Sequence, residues 1–226
     1  MRSQALTIGL AAVLGVVCGV VTAFALPGHV EDPLHMGVAL VNQQCRPGQS
    51  VVMVASGKPT ARLTSVAVSN PGARYLQPSR SCGTTWRYQP PGETSVRPDP
   101  EYVVYLGPFA TNAACEIRMQ GAHKGAFVTM LTAGTPDMVQ CICHVDLVSA
   151  PTLRPSMSID ATESIWIRQL QSMFRDAHLL PDVTGVYDQA TQDVVRAQQA
   201  KVDPQPSGMV DSTTWSYLTR MCSRYP

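Results

Sequence analysis

Gly185-Val-Tyr-Asp188-Gln-Ala-Thr191 and Gly208-Met-Val-Asp211-Ser-Thr-Thr214 are one phrase written twice near the carboxyl end of the chain. Both read Gly-x-x-Asp-x-x-Thr, and each opens a segment with helical periodicity. An Asp at that point serves as an N-cap, because its carboxylate accepts from a backbone N–H two or three residues further on. The Gly ahead of it supplies a turn with positive φ, which residues bearing a Cβ rarely adopt. A third helix precedes the pair, with Ile167, Leu170, Phe174 and Ala177 spaced to keep one face buried. Residues 160–226 are therefore expected to form a compact three-helix module with two matching loops.

Four stretches carry a family likeness: Ile167-Arg-Gln-Leu170-Gln, Thr184-Gly185-Val-Tyr-Asp-Gln-Ala-Thr191, Val195-Arg-Ala-Gln-Gln199, and Gly208 through Trp215-x-x-Leu218. Together they resemble the peptidoglycan-binding-like domain, a small helical module that holds bacterial enzymes and envelope proteins on the cell wall. The resemblance implies peptidoglycan as the partner. That polymer presents sugars with N-acetyl groups and short charged peptides, and a shallow site for it needs backbone donors, short polar side chains and a ring face. The candidate ligand-binding residues are Gly185, Tyr187, Asp188, Thr191, Gly208, Asp211 and Trp215, with Tyr187 partly exposed and Trp215 mostly core. The chain departs from the family pattern where Thr184 replaces an Asp, Asp188 a second Gly and Gln198 a common core Phe. The fold tolerates these changes; the ligand-facing surface is where they bear.

The whole chain has 226 residues, a formal charge of +1 and no Lys/Arg run, so a nucleic-acid partner is excluded. Residues 1–4 lead into an uncharged apolar stretch, 5–26, long enough as a helix to cross a bilayer core of roughly 30 Å. Arg2 lies before it and Glu31 and Asp32 after it, which places the amino terminus in the cytoplasm and the rest outside. The expectation is a single-pass cell-membrane protein with its domains on the extracytoplasmic side. Ala23-Phe24-Ala25 also fits a cleavage site, so secretion after cleavage near Ala25 is the alternative. Cys18, inside this stretch, lacks the flanking residues of a lipobox and reads as a small hydrophobe.

Residues 27–44 form a spacer punctuated by Pro27 and Pro33. Residues 45–148 alternate between strand and helix signals. Strands are expected at Val51–Ala55, Ala73–Gln77, Tyr102–Leu106 and Ala126–Leu131, and helices at Thr60–Val68 and Ala113–Gln120. Gly107-Pro108-Phe109 is expected to turn, Thr111-Asn112 to cap the second helix, and Val139–Leu147 to add an edge strand. The order β-α-β-β-α-β suits a ferredoxin-like α+β sandwich. Tyr102 through Phe109, with Ala113-Ala114-Cys115 after it, resembles the sporulation-related repeat over residues 101–134, which implies binding of glycan strands lacking stem peptides. Residues 149–159 are a Pro/Ser linker, and the domain boundary belongs there.

Six cysteines lie beyond residue 26, an even number that favours disulfides in an exported chain. Cys45 with Cys82 is the preferred pair, and Cys115 with either Cys141 or Cys143. Cys222 is a buried thiol or the partner of the cysteine left over. Cys141-Ile-Cys143-His144 has one residue between its cysteines, too few for the usual zinc spacing, so no metal or other cofactor is expected.

Catalytic machinery is not legible. Ser79-Arg-Ser-Cys82-Gly83 lacks the His and Gly of a cysteine transpeptidase, the histidines at 29, 35, 123, 144 and 178 stand singly, and nothing selects a pair among Glu93, Glu101, Glu116 and Asp137. The sequence thus reads as a non-enzymatic envelope protein: an amino-terminal transmembrane helix, a disulfide-containing α+β domain and a wall-binding helical module. An interaction protein for envelope partners, or a wall-processing enzyme with its site in 45–148, are the alternatives.

Overall fold

Val51-Val52-Met53 is buried on both sides, which requires cover on both faces of its strand. In the computed structural model, which describes residues 31–82, 100–120, 126–133, 139–155 and 161–224, that strand is β1 (Gln49–Gly57). It is followed by α1 (Ala61–Ser69), β2 (Arg74–Leu76), β3 (Tyr102–Ala110), α2 (Thr111–Met119) and β4 (Phe127–Met130). The sheet order is β2-β3-β1-β4, with every neighbouring pair antiparallel.

Both helices pack on one sheet face. Leu63 and Ala67 of α1 and Ala114 and Cys115 of α2 meet Val52, Val104 and Val128 there. On the opposite face Val51, Met53, Val103, Tyr105 and Leu131 form a second apolar cluster. The segment before β1 helps to close it: Gln43 Nε2 donates to the Tyr105 hydroxyl at 2.5 Å, and that hydroxyl donates to the Val41 carbonyl at 2.8 Å. Burial pushes the Tyr105 hydroxyl pKa up. Leu40 also forms a parallel bridge to Tyr75, covering the free edge of β2.

Three local expectations need correction. Gly107-Pro108-Phe109 does not turn the chain; β3 runs through it, Phe109 faces Ser50, and the register shifts there as a bulge. A bulge is where a Pro fits inside a sheet, since the ladder lacks a hydrogen bond at that point. Thr111 does not cap α2, because its hydroxyl is engaged with that of Ser50 at 2.9 Å. Residues 139–147 form no edge strand; Cys141–Cys143 and Leu147–Ser149 are 3-10 turns.

The disulfides explain the last change. Cys45 pairs with Cys82, Cys115 with Cys141, and Cys143 with Cys222. Side chains two apart in a strand share a face. In a 3-10 turn, at three residues per turn, they point roughly 120° apart. Cys141 can then reach α2 while Cys143 reaches the carboxyl-terminal segment.

That segment contains α3 (Ala161–Asp176), α4 (Gln189–Gln199), α5 (Ser212–Leu218) and a closing 3-10 turn, Thr219–Arg224. Ile165, Ile167, Leu170 and Phe174 of α3 join Trp215 and Leu218 of α5 in its core. Through Cys141 and Ile142 this core is continuous with the helix-facing side of the sheet. The stretch between the two parts is also engaged: Leu153 is fully buried and exchanges backbone hydrogen bonds with Val210 at 2.9 and 2.8 Å.

The described residues form a mixed α+β architecture with a three-helix module, and no membrane-spanning element is found among them. Among the described residues no helix is long and apolar enough to cross a membrane. The stretch assigned to the anchor, residues 5–26, and the cleavage site near Ala25 lie outside them. The expectations of a transmembrane helix, a membrane partner and a single-pass location are corrected accordingly.

Candidate functional site

Gln171 lies on the inward face of α3, 1% exposed, where an amphipathic helix would ordinarily place an apolar residue. Its amide is fully used. Oε1 accepts the Gly185 N–H at 2.7 Å, and Nε2 donates to the Val186 carbonyl and the Thr191 hydroxyl, both at 2.9 Å. Gln199, at the end of α4, does the same for the second loop. Its Oε1 accepts the Gly208 N–H at 2.7 Å, and its Nε2 donates to the Met209 carbonyl at 2.8 Å and the Thr214 hydroxyl at 2.9 Å.

Each loop then hands over to a helix in one manner. Asp188 accepts the Thr191 N–H and Asp211 the Thr214 N–H, both at 2.8 Å, so the two aspartates are N-caps of α4 and α5. The hydrogen bond from the Thr214 backbone, outweighing burial, holds the Asp211 carboxyl below its ordinary pKa. Gly185 and Gly208 have φ of +77° and +74°, and each lies under an arginine. A Cβ on Gly185 would sit 2.5 Å from Arg168 Nε, and one on Gly208 would sit 2.8 Å from Arg196 Cγ. The duplicated unit is thus longer than the loop phrase. It comprises Arg168-x-x-Gln171 with Gly185-x-x-Asp188-x-x-Thr191, and Arg196-x-x-Gln199 with Gly208-x-x-Asp211-x-x-Thr214.

Tyr187 is 4% exposed rather than partly exposed, and its hydroxyl donates to the Gly208 carbonyl at 2.8 Å, joining the loops. Burial raises its pKa. Trp215 is core: 1% exposed, tilted against Trp166 at 5.6 Å between ring centres, with Nε1 donating to the Pro151 carbonyl at 2.9 Å. Gly185, Tyr187, Asp188, Thr191, Gly208, Asp211 and Trp215 are therefore brought together as the frame of the module. Their polar groups are largely spent on one another and on Gln171, Gln199, Thr214 and Pro151.

What the frame displays is different. Val186 and Met209, the residues after the two glycines, are 51% and 38% exposed. Arg168 and Arg196, which cover those glycines, are also exposed. Each loop thus presents an apolar tip beside a guanidinium. Sequence reasoning passed over Gln171, Gln199 and these four; the signal was the arginine and glutamine three apart ahead of each Gly-x-x-Asp-x-x-Thr.

Residues 167–218 match the family model for a peptidoglycan binding domain. This part of the chain is a peptidoglycan-binding-like domain. The match covers α3 from Ile167, both loops and α5 to Leu218, so it contains the whole duplicated unit. No curated protein and no solved structure matches the chain. The peptidoglycan-binding-like domain is a binding module and not a catalytic one.

Elsewhere the chemistry is sparse. Cys82, the thiol nearest to a transpeptidase pattern, is bonded to Cys45. Cys141 and Cys143 are likewise consumed, and among the described residues no group of three or more His, Cys, Asp or Glu could hold a metal. His29, Glu93, His123 and Asp137 lie outside the described residues.

Proposed function

We propose that this protein attaches non-catalytically to peptidoglycan through its carboxyl-terminal domain, and that the contact is made by the two loop tips, Val186 with Arg168 and Met209 with Arg196. The supporting observation is the duplicated frame within residues 167–218, which fixes both tips while leaving them exposed. Apolar tips suit the faces and N-acetyl methyls of the glycan, and guanidinium groups suit the carboxylates of its peptides. Three disulfides fit a chain working in an oxidising compartment, where the wall is.

Co-sedimentation of the chain with purified sacculi tests this reading. Val186→Asp with Met209→Asp should abolish sedimentation while leaving the melting temperature within a degree or two, as expected for exposed positions. Unchanged sedimentation of the folded double variant would move the contact elsewhere, and failure of the wild-type chain to sediment would end the proposal. Truncation at residue 150 is unsuited to the purpose. It would cut the Cys143–Cys222 bond and strip the cover from Ile142.

A further inference from the structure

Arg118 is on the last turn of α2, on the face that also carries Ala114 and Cys115, and is 5% exposed. Its Nε and Nη1 are buried and make no hydrogen bond. Burial, and then the like charge of Arg168, lower its pKa to about 10. An interior guanidinium is ordinarily retained only with an acceptor, because an unpaired buried charge is strongly destabilising. No carboxylate among the described residues pairs with Arg118 or Arg168. Two cations face the same junction, one beneath the surface and one on it, near enough for the first to feel the charge of the second.

Their setting is the junction of the sheet with the helical module. The Cys115–Cys141 bond brings the 3-10 turn onto α2, and the Cys141 N–H donates to Gln169 Oε1 of α3 at 2.8 Å. Gln140 Nε2 reaches Ser172 Oγ at 2.9 Å and Asp176 Oδ2 at 2.7 Å on the same helix. Arg168, next to Gln169, lies over Gly185, with Nη1 donating to the Val183 carbonyl at 3.4 Å. Arg118 is therefore supplied by the sheet part, and Arg168 by the peptidoglycan-binding-like domain.

We propose that the α2–α3 junction is an anion site in which Arg118 and Arg168 together take a carboxylate from the peptide arm of peptidoglycan. The proposal rests on the wall-binding reading above and adds to it a second, buried contact shared by both parts of the chain. Guanidinium groups suit such a ligand because their planar donors match the two oxygens of a carboxylate. Arg168 is the entrance, a long exposed side chain able to swing off the glycine it covers. Arg118 is the interior group whose missing acceptors the carboxylate supplies.

The test is titration of the whole chain with two soluble muropeptides, one with free carboxylates and the same molecule with every carboxylate amidated. Wild type should prefer the free form by roughly tenfold or more, the ratio one charge-assisted hydrogen bond supplies. Arg118→Gln and Arg168→Gln should each lose that preference. The ligand-free Arg118→Gln protein should melt no lower than wild type, since the charge it removes had no partner. Equal affinity of wild type for the two muropeptides, or a preference retained by Arg118→Gln, would overturn the site. So would a lower melting temperature of the ligand-free Arg118→Gln protein, which would make Arg118 a structural group. Failure of Arg118→Gln to fold counts as that same result. Sacculus sedimentation run alongside separates the two claims: sacculus binding with a carboxylate preference that survives Arg118→Gln removes only the junction site, and no binding at all removes both.

Discussion

The Tyr187 hydroxyl donates to the Gly208 carbonyl, so a residue of the first loop fixes the backbone of the second at the glycine that begins it. Tyr187 is the third residue of its repeat; its counterpart in the second repeat, Val210, pairs instead with Leu153. Two otherwise equivalent loops are thus arranged in series, the first holding the second and the second holding the segment that leads back to the sheet. Tyr187→Phe removes the donor and leaves the Gly208 carbonyl unpaired in a buried place. A loss of about 1 kcal/mol in unfolding free energy is expected by urea denaturation, with protection from amide exchange falling first at Gly208 and Met209.

The buried glutamines set a larger effect. Gln171→Leu or Gln199→Leu leaves a buried glycine N–H without its acceptor and takes one donor from the following carbonyl, at a cost of about 2 kcal/mol. Gln189, exposed on α4 and bonded only to Asp193, is the control, and its replacement by Leu should change stability by less than about 0.5 kcal/mol. Equal effects at the two kinds of site would refute the clamp.

The two glycines are predicted to differ. Alanine at either position adopts a left-handed backbone at roughly 1–2 kcal/mol. At Gly185 the new methyl meets the end of the Arg168 side chain, which can move aside. At Gly208 it meets Gln192 Cγ and Arg196 Cγ, close to the α4 backbone, which cannot easily give. Gly208→Ala should therefore melt below Gly185→Ala.

Acid should act through Asp211. Its folded pKa is depressed relative to the unfolded chain, so it contributes stability above the unfolded value of 3.8, and that contribution is lost as pH falls through the folded value. The melting temperature of wild type should fall more steeply below about pH 4 than that of Asp211→Asn. Parallel acid limbs in the two proteins would remove Asp211 from the account.

What could be read from residues alone was what repeats with a short period. Ile167, Leu170 and Phe174 located α3, and the doubled Gly-x-x-Asp-x-x-Thr located both caps. The strand signals at Val51–Ala55 and Tyr102–Leu106 fell within β1 and β3, because β-branched runs with cover on both sides have few other homes. The bulge at Gly107-Pro108 was not legible, since Gly-Pro is equally a turn until a partner strand is known. Nor was the divergence of Cys141 and Cys143, which depends on where Cys115 and Cys222 lie. Nothing in the helix periodicity marks Gln171 and Gln199 as buried; their burial follows from loops thirteen and eight residues downstream, at Thr184 and Ser207. Tyr187 was misjudged for the same reason, its acceptor being supplied by the other loop.

A continuous covalent path runs from Cys222 through Cys143, Ile142 and Cys141 to Cys115 on α2. On a wall stretched by turgor, a pull on the carboxyl-terminal domain would be delivered along bonds into the helix beside the sheet, bypassing the packed stretch at Leu153. Tension would load the fold before it could peel the two parts from each other, and only reduction would turn the bracket into a hinge.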